Sequence, residues 1–219
     1  MERNSYAVMG LGRFGTSVAL ELTKMGADVL AIDDDEERVH QMAEFVTCAV
    51  KADISDAESL ATLGLGNMDA VIIAMTRNLD ASILGTILAK EYGVPFVIAK
   101  AQSDMHAKIL TKVGADRVIV PEKESGIRIA RNLVNGNFLD FFELDDKISV
   151  VEIAIRPEWI GKTLIELDFR KRFKVNIIAI DPKDGEIQVS MSPDMPLTSG
   201  SMWVTGENAD VSKLADCKE

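Results

Sequence analysis

The sequence has few of the residue types that most often carry out acid–base and nucleophilic chemistry. Its 219 residues contain two histidines, two cysteines and two tyrosines, and aromatic residues make up only 5% of the chain. The two cysteines lie far apart, so neither a disulfide framework nor a zinc site is indicated. Composition predicts a buried, apolar Cys48 and a solvent-side Cys217. Because hydrophobic residues still make up 47% of the chain, the core must be mostly aliphatic.

Positive charge and long apolar runs are also scarce. The formal net charge is −11 at pH 7, and such an acidic surface repels phosphate backbones, so nucleic acid is not expected as a partner. No run approaches the ~20 apolar residues that cross a bilayer. Residues 1–5 lead straight into the first predicted strand and leave no room for a signal peptide. The expected location is therefore the cytoplasm.

Short runs rich in valine and isoleucine alternate with helical segments through the first half of the chain. One helical segment, Ser82–Ala89, is predicted to bury Ile83, Leu84, Ile87 and Leu88 on one face. Because strands that are apolar on both faces alternate with helices, the pattern predicts an α/β fold with a doubly wound parallel sheet. The six predicted strands are Tyr6–Met9, Val29–Ile32, Thr47–Val50, Val71–Ala74, Val97–Lys100 and Val118–Val120.

The pattern changes after Pro121. Glu122–Leu133 is predicted to form one more helix, which residues 135–137 break. Phe138–Phe142 then contains three phenylalanines. This aromatic segment is interpreted either as core between two domains or as a subunit contact, since aromatic residues are enriched at interfaces.

From Ile148 onward the pattern predicts a second, smaller α+β domain. Leu164–Arg172 is amphipathic, Asp210–Leu214 is expected to form a short helix, and strands are predicted at 150–155, 175–180, 186–189 and 201–205. A domain of this size is small for stability alone, so it is expected to need the first domain or a second copy. The predicted division is a nucleotide-binding domain at 1–122, a crossover helix and linker at 123–143, and the second domain at 144–219.

The stretch GLGRFG, Gly10 to Gly15, carries the strongest functional signal. It follows a predicted strand and opens a helix, and Asp33 ends the second strand. In this setting Gly10 permits a tight turn, Gly12 lets the backbone approach a phosphate, and Gly15 lets helix and strand pack closely. The helix N-terminus supplies N–H groups for an anion, and Asp33 would accept hydrogen bonds from ribose hydroxyls. The stretch therefore predicts a Rossmann-like nucleotide-binding domain.

The residues around this loop restrict the nucleotide. Asp34 and Asp35 follow Asp33 and would repel a 2′-phosphate, so NADP is disfavoured while NAD, ADP and ATP remain open. Arg13 lies inside the loop and carries a permanent charge that can fork onto phosphate oxygens. It either contacts a triphosphate, or is a solvent-side residue, or pairs with a nearby acid.

Further side chains follow the other predicted strands. Ligands of open parallel sheets bind at the carboxyl ends of the strands. Asp53, residues 74–76, Lys100 and Glu122 follow the third to sixth strands and are expected to line that edge.

The sequence offers few candidate residues for a catalytic centre. A dehydrogenase needs an acid or base beside the nicotinamide, most often His, Lys or Tyr. Both histidines, His40 and His106, fall in the predicted nucleotide domain, and the second domain contains neither histidine nor tyrosine. No Walker loop, Ser/His/Asp arrangement or metal-ligand cluster is present in the sequence. The pattern favours a nucleotide sensor over an enzyme.

The sequence resembles the RCK (KTN) regulatory subunits of bacterial Ktr/Trk potassium transport systems, most closely the KtrA/KtrC type. The resemblance spans nearly the whole chain. It is carried by AVMGLGRFG at 7–15, LAID at 30–33, VIAKAQ at 97–102, GADRVIVPE at 114–122 and GKTLIELDFR at 161–170, the last resembling the start of an RCK C-terminal (TrkA-C) domain.

The resemblance implies a gating subunit. Such proteins form dimers that assemble into an octameric ring beneath a membrane potassium-translocating subunit of the KtrB/TrkH type. ATP and ADP compete for the Rossmann site, NAD(H) binds in some members, and ATP favours the conducting state. The nucleotide-binding residues implied by similarity are Gly10, Gly12, Arg13, Phe14, Gly15, Asp33, Asp53, Ile54, Met75, Lys100, His106 and Glu122.

Individual roles also come from this resemblance. Asp53 and Ile54 would flank the adenine, and Arg13 would contact the γ-phosphate across the dimer. Glu122 matches a position that binds a cation, Mg²⁺, Ca²⁺ or Na⁺, near the ATP phosphates. Because the γ-phosphate is the only chemical difference between ATP and ADP, it must carry the differential affinity that shifts the gating equilibrium.

The second domain resembles one that binds cyclic di-AMP between two copies. The matching aliphatic residues either sandwich adenine or form plain core. Leu164 and Phe169 depart from the family pattern, since both stand where other aliphatics are common, and Phe169 would narrow the pocket or stack in it. Arg170 would contact phosphate, and Asn176 a base or phosphate. The full matching set is Leu164, Ile165, Asp168, Phe169, Arg170, Asn176, Ile177 and Ile178.

Two alternatives of other classes remain open from the sequence. One is a small NAD-dependent oxidoreductase, which hydride transfer to a substrate would reveal. The other is a free-standing cyclic-dinucleotide binding protein, which would not co-purify with a membrane subunit.

Overall fold

The computed structural model describes residues 4–75, 78–134, 138–145, 147–189 and 192–216. The chain divides into two compact units between Pro121 and Glu122, each with its own sheet. Segment 123–143, expected to be a crossover helix and linker, contains most of one helix and the first strand of the second sheet. The division into a nucleotide-binding domain at 1–122, a linker at 123–143 and a second domain at 144–219 stays a prediction.

The first unit is a six-stranded parallel sheet flanked by helices. Its strand order is β3-β2-β1-β4-β5-β6, and every neighbouring pair is parallel. The order reverses between β1 and β4, which confirms the predicted doubly wound, Rossmann-like architecture. Its strands are β1 Ser5–Met9, β2 Asp28–Asp33, β3 Cys48–Lys51, β4 Ala70–Ile73, β5 Phe96–Lys100 and β6 Arg117–Ile119. Its helices are α1 Arg13–Lys24, α2 Glu36–Met42, α3 Ala57–Ala61, α4 Leu79–Glu91 and α5 Asp104–Lys112, with a 3₁₀ turn at Leu65–Asn67.

Helix α4 packs through a different face from the one predicted. Of the four residues expected to be buried, Leu88 is buried, whereas Ile83, Leu84 and Ile87 are only half-buried. Small residues dominate the buried face because they let the helix approach the sheet closely; a Cβ on Gly85 would lie 2.8 Å from Cγ2 of Ile54. The buried residues are Ala81, Ser82, Gly85, Thr86, Leu88 and Ala89.

The second unit is an antiparallel sheet with short helices, as predicted for an α+β domain. Its strand order is β7-β8-β10-β9. One face of the sheet packs on a core that includes Val151, Ile153, Met202, Val204 and Leu214. Its strands are β7 Phe138–Glu143, β8 Ile148–Ala154, β9 Asn176–Pro182 and β10 Gly200–Glu207. Its helices are α6 Pro121–Val134, α7 Leu164–Leu167, α8 Phe169–Phe173 and α9 Asn208–Asp216, with a 3₁₀ turn at Pro157–Trp159.

Two predictions for the second unit need correction. The amphipathic segment Leu164–Arg172 forms two short helices instead of one, because Asp168 between them adopts the left-handed conformation with φ of 42°. The strand predicted at 186–189 is reduced to one bridge, in which Gln188 pairs with Ile180. The predicted break at residues 135–137 lies outside the described residues.

The phenylalanine-rich segment forms β7 at one edge of the second sheet. Phe141 packs against the core, whereas Phe142 is 43% exposed and its ring centroid lies 5.8 Å from that of Trp203. Because side chains of a strand alternate between faces, the segment contributes both to the core and to an exposed aromatic surface.

Cys48 is exposed, so the prediction that it is buried is wrong. It begins β3, which lies at the edge of the first sheet and is less covered than the central strands. Cys217 lies outside the described residues. No helix in the described parts of the chain is long and apolar enough to cross a membrane.

Candidate functional site

The glycine loop joins β1 to α1 at the point where the strand order reverses. Gly10 has φ of +96°, a conformation that favours glycine, and a Cβ there would lie 3.0 Å from the backbone N of Met75. A Cβ on Gly15 would lie only 1.9 Å from the carbonyl oxygen of Gly10. Both positions therefore require glycine for the loop to fold tightly against α1 and the end of β4.

Gly12 differs from the other two glycines because it faces open space. A Cβ there would meet nothing within 4 Å, and its φ of −70° is allowed for any residue. Gly12 is the N-cap of α1 and gives no side-chain hydrogen bond to the helix. The first N–H groups of an α-helix lack partners within the helix and carry partial positive charge, so this end can accept an anion.

Asp33 fastens the glycine loop to the end of β2. It is 3% exposed, and its Oδ2 accepts a hydrogen bond from the backbone N–H of Leu11 at 2.5 Å. Its Oδ1 accepts one from the N–H of Asp35 at 3.0 Å and lies 3.5 Å from Nη1 of Arg38. Sequence reasoning gave Asp33 only a ribose contact and missed this bracing role, since the GxGxxG spacing carries no signal for it.

A cluster of carboxylates surrounds Asp33. Partial burial, together with the hydrogen bond and negative charge of Asp33, raises the pKa of Asp34, and the charge of Asp53 acts in the same direction. Hydrogen bonds from the hydroxyl and N–H of Ser55 lower the pKa of Asp53. This negative edge is suited to hydroxyl donors and opposes a 2′-phosphate, which is the reason that the sequence disfavours NADP.

Ile54, expected beside the adenine, has its side chain in the core. It is 2% exposed and packs toward Gly85 of α4. Any contact from this position to a nucleotide would therefore come from its backbone.

Arg13 is the first residue of α1 and is exposed. No ion pair to its guanidinium occurs among the described residues, so an ordinary surface ion pair does not account for it there. The first turn of α1 contains no acidic residue, and the helix dipole disfavours a cation at this end. The alternative in which Arg13 pairs with a nearby acid therefore finds no support in this structure, whereas its exposure fits the alternative of a solvent-side residue.

Phe14 and Lys100 connect the loop to β5. Nζ of Lys100 lies 5.5 Å from the ring centroid of Phe14, and Lys100 is 8% exposed. A cation at this distance over an aromatic face is attracted to it. The pair, with half-buried Met75 after β4, brings three predicted residues to the carboxyl edge of the sheet.

His106 lies on α5 and is 2% exposed. Its Nδ1 accepts a hydrogen bond from the backbone N–H of Gln102 at 3.4 Å, and its Nε2 lies 2.8 Å from Oγ of Ser82. Burial lowers the pKa of His106, so the network assigns a neutral ring that donates its Nε2–H to Ser82. In this tautomer His106 is not a base for Ser82, and sequence reasoning missed Ser82 because no motif joins the two helices.

The second unit contains a cavity where the resemblance placed a cyclic dinucleotide. The cavity is about 370 Å³ and opens to solvent. All of the matching residues except Ile178 line it, and Val175 and Pro193 were not anticipated. Ile178 is 38% exposed. The lining residues are Leu164, Ile165, Asp168, Phe169, Arg170, Val175, Asn176, Ile177 and Pro193.

Two lining residues have further structural roles. Phe169 is 4% exposed, and its ring centroid lies 5.0 Å from that of Trp159 in an edge-to-face arrangement. It therefore supports the floor of the cavity from the core. The guanidinium of Arg170 donates two hydrogen bonds to Oδ1 of Asn176, from Nε at 3.0 Å and from Nη2 at 2.7 Å.

Known protein families match both units. The TrkA-N domain model matches residues 6–121, and the TrkA-C domain model matches residues 149–216. The chain is 39% identical over 212 residues to Ktr system potassium uptake protein C of Bacillus subtilis, covering 97% of this chain and 96% of that protein. It is 39% identical over 193 residues to Ktr system potassium uptake protein A of Vibrio alginolyticus, covering 88% and 86%.

The chain belongs to the Ktr/TrkA family. Solved structures with the same fold include a GsuK channel bound to NAD, with a TM-score of 0.70 at 17% identity. The likeness covers all of this chain and 40% of that longer chain. The crystal structure of the GsuK RCK domain gives a TM-score of 0.66 at 17% identity, covering 98% and 47%. At this identity the likeness shows the fold alone.

Glu122, expected to bind a cation, lies just beyond the TrkA-N match of this Ktr/TrkA chain. It is in the first turn of α6 and opens the second unit. Among the described residues no group of three or more His, Cys, Asp or Glu side chains could hold a metal ion.

Proposed function

We propose that this chain is the cytosolic, nucleotide-sensing regulatory subunit of a potassium transporter and is not an enzyme. The observation that carries the proposal is an open glycine loop, with Arg13 beside it, in a chain 39% identical to a Ktr potassium uptake protein over nearly its whole length. A helix N-terminus that lacks an acidic residue and carries an exposed cation has unused capacity for an anion.

The geometry gives little support to the oxidoreductase alternative. A hydride-transfer enzyme needs an accessible acid or base near the nicotinamide. His106 is buried and donates to Ser82, and the described part of the second unit supplies no histidine or tyrosine. NAD(H) remains a candidate ligand of the same loop, since a solved relative of the fold is bound to NAD.

ATP and ADP would act as opposing effectors at this loop. Gly10, Gly12 and Gly15 would hold phosphates at the start of α1, and Asp33 would accept from the ribose. Arg13 would contact the γ-phosphate on a partner copy, and Glu122, with the phosphates and a second copy, would hold Mg²⁺, Ca²⁺ or Na⁺. ATP and ADP would then stabilise different states of the assembly because only ATP engages Arg13.

The cavity of the second unit would take cyclic di-AMP. Its walls are aliphatic, and one rim carries the Arg170 guanidinium. Arg170, Lys171, Arg172 and Lys174 are all exposed and lie within five consecutive residues of an acidic chain. This local positive charge favours an anionic ligand whose bases can lie against aliphatic side chains.

Self-association would complete the assembly. Helix α6 exposes Ile127, Ile129 and Leu133 by 43%, 58% and 77%, and exposed apolar patches mark interaction sites. We expect dimers that assemble into an octameric ring beneath a membrane subunit of the KtrB/TrkH type. The chain would then be a cytoplasmic protein held at the membrane by that partner.

Calorimetric titration of the purified chain with ATP, ADP, NADH and cyclic di-AMP tests the proposal. We expect ATP and ADP to compete for one site and cyclic di-AMP to bind independently at a second. Tight NADH binding without measurable ATP binding would contradict a nucleotide-gated function and favour the oxidoreductase.

A further inference from the structure

Arg170 and Asn176 form a fork at the rim of the second unit's cavity. Nε and Nη2 of Arg170 both donate to Oδ1 of Asn176, at 3.0 Å and 2.7 Å. Both residues are exposed and both line the cavity. The bonds therefore join two surface side chains at a candidate binding site rather than bracing the core.

The chemistry of arginine decides which atom of Asn176 faces it. A guanidinium has five N–H donors and no acceptor, so it bonds to the amide oxygen and not to the amide nitrogen. Two of the five donors are used in this way, and no other partner of the Arg170 guanidinium occurs among the described residues. Three N–H donors remain for an anion.

Asn176 lies on a strand of the sheet, whereas Arg170 lies on a short helix. Asn176 begins β9, where it pairs with Thr205 of β10, so its backbone is held in the sheet. Arg170 lies on α8, a helix of five residues bracketed by left-handed Asp168 and Lys174. Asn176 is thus placed to fix the direction of the long Arg170 side chain.

We propose that Asn176 is a positioning residue, which holds the Arg170 guanidinium with its remaining donors ready for the phosphate of a cyclic dinucleotide. The identity of the ligand as a cyclic dinucleotide rests on the proposed function of the cavity, whereas the positioning of Arg170 by Asn176 does not. A pre-oriented arginine loses less side-chain freedom on binding, which raises affinity without a new contact. The role differs from the base or phosphate contact that the sequence resemblance implies for Asn176.

A double-mutant cycle tests the proposal. Cyclic di-AMP affinity is measured by calorimetry for the unaltered full chain, Asn176→Ala, Arg170→Ala and the double variant. We expect Asn176→Ala to weaken binding about tenfold, the scale of one hydrogen bond to a charged group, and to have no further effect when Arg170 is already alanine. Lys183→Ala, which removes an exposed cation of the second unit that neither lines the cavity nor belongs to the basic stretch at 170–174, is the control and should bind as the unaltered chain does.

A second readout does not depend on the ligand. The Nε–H proton of Arg170, followed by NMR in the free protein, should exchange slowly with solvent in the unaltered chain and in Asn176→Asp, which keeps the acceptor. It should exchange fast in Asn176→Ala. Equal exchange in all three proteins, or a full additional loss of affinity in the double variant, would overturn the positioning role. If the unaltered chain binds no cyclic di-AMP, the proposed ligand fails, while Nε–H exchange still decides whether Asn176 orients Arg170.

Discussion

Asp33 Oδ2 accepts a hydrogen bond from the backbone N–H of Leu11 at 2.5 Å. The bond joins the end of β2 to the middle of the glycine loop, across 22 residues of sequence. A side chain with a clear ligand-binding interpretation therefore also shapes the loop that would hold the phosphates. Changes at Asp33 should act on every adenine nucleotide and on stability together.

The first prediction concerns Asp33→Asn. Asparagine has one oxygen in place of two, so it fails to accept from Leu11, Asp35 and a ribose at once. We expect weaker binding of ATP, ADP and NADH alike, with the free energy of unfolding lower by about 1–3 kcal/mol. Calorimetry and urea unfolding measure both effects, with exposed Asp184→Asn in the second unit as control. Unchanged affinity for all three nucleotides would refute the role of Asp33.

The second prediction compares Gly15→Ala with Gly12→Ala. At Gly15 a Cβ would lie 1.9 Å from the carbonyl oxygen of Gly10, so the loop must distort and the protein should be destabilised. At Gly12 the Cβ enters open space at an allowed φ, so stability should change by less than about 1 kcal/mol. Nucleotide affinity should nevertheless fall, because the methyl group occupies space that the phosphates need. A stable Gly12→Ala protein with unaltered nucleotide affinity would show that phosphates do not approach this position.

The third prediction concerns Arg13→Ala. Because Arg13 is exposed and pairs with no acid among the described residues, its removal should leave folding unchanged. ATP affinity should fall about tenfold or more, on the scale of a lost bond to a charged group, while ADP affinity stays the same. Arg117→Ala, at the opposite, amino-terminal end of a strand, is the control for loss of one exposed arginine. Equal losses for ATP and ADP would remove the γ-phosphate role.

The fourth prediction is a pH dependence of stability. Burial lowers the pKa of His106 below the usual 6.5. At a pH between the lowered pKa of His106 in the folded chain and its usual pKa of 6.5 in the unfolded chain, only the unfolded chain binds a proton at this residue. The free energy of unfolding therefore falls as the pH drops below 6.5, by at most about 1.4 kcal/mol per pH unit. Above pH 6.5 His106 is neutral in both the folded and the unfolded chain, so it does not make the free energy of unfolding depend on pH.

Urea unfolding from pH 7.5 to 5.5 measures this slope. His106→Gln should flatten the curve in this window whatever its effect on overall stability. His40→Gln changes the other histidine, which is exposed, and should keep the His106 slope. The same slope in His106→Gln as in the unaltered chain would show that another group titrates.

The sequence was sufficient for features set by local pattern. All six strands of the first sheet were predicted within two residues at either end, because strands that are apolar on both faces leave a periodicity that can be read directly. The turn at Gly10 and the close packing at Gly15 also followed from spacing alone, since only glycine allows both.

Features that depend on distant contacts were not predictable. The pairing of Ser82 with His106 joins two helices, and no short-range signal links them. The buried face of α4 was misjudged because close approach to Ile54 favours Gly85 over the larger aliphatics. Asp168 splits a segment that reads as one amphipathic helix, because an aspartate tolerates the left-handed conformation that periodicity does not reveal.

Potassium flux in liposomes shows whether ATP and ADP control transport through this chain. The chain would be reconstituted with the Ktr-type membrane subunit of its own host, and flux measured with ATP, with ADP and without nucleotide. We expect higher flux with ATP than with ADP, and a loss of that difference in Arg13→Ala. Equal flux under all three conditions, in a preparation where the two subunits remain associated, would contradict a nucleotide-gated regulatory subunit.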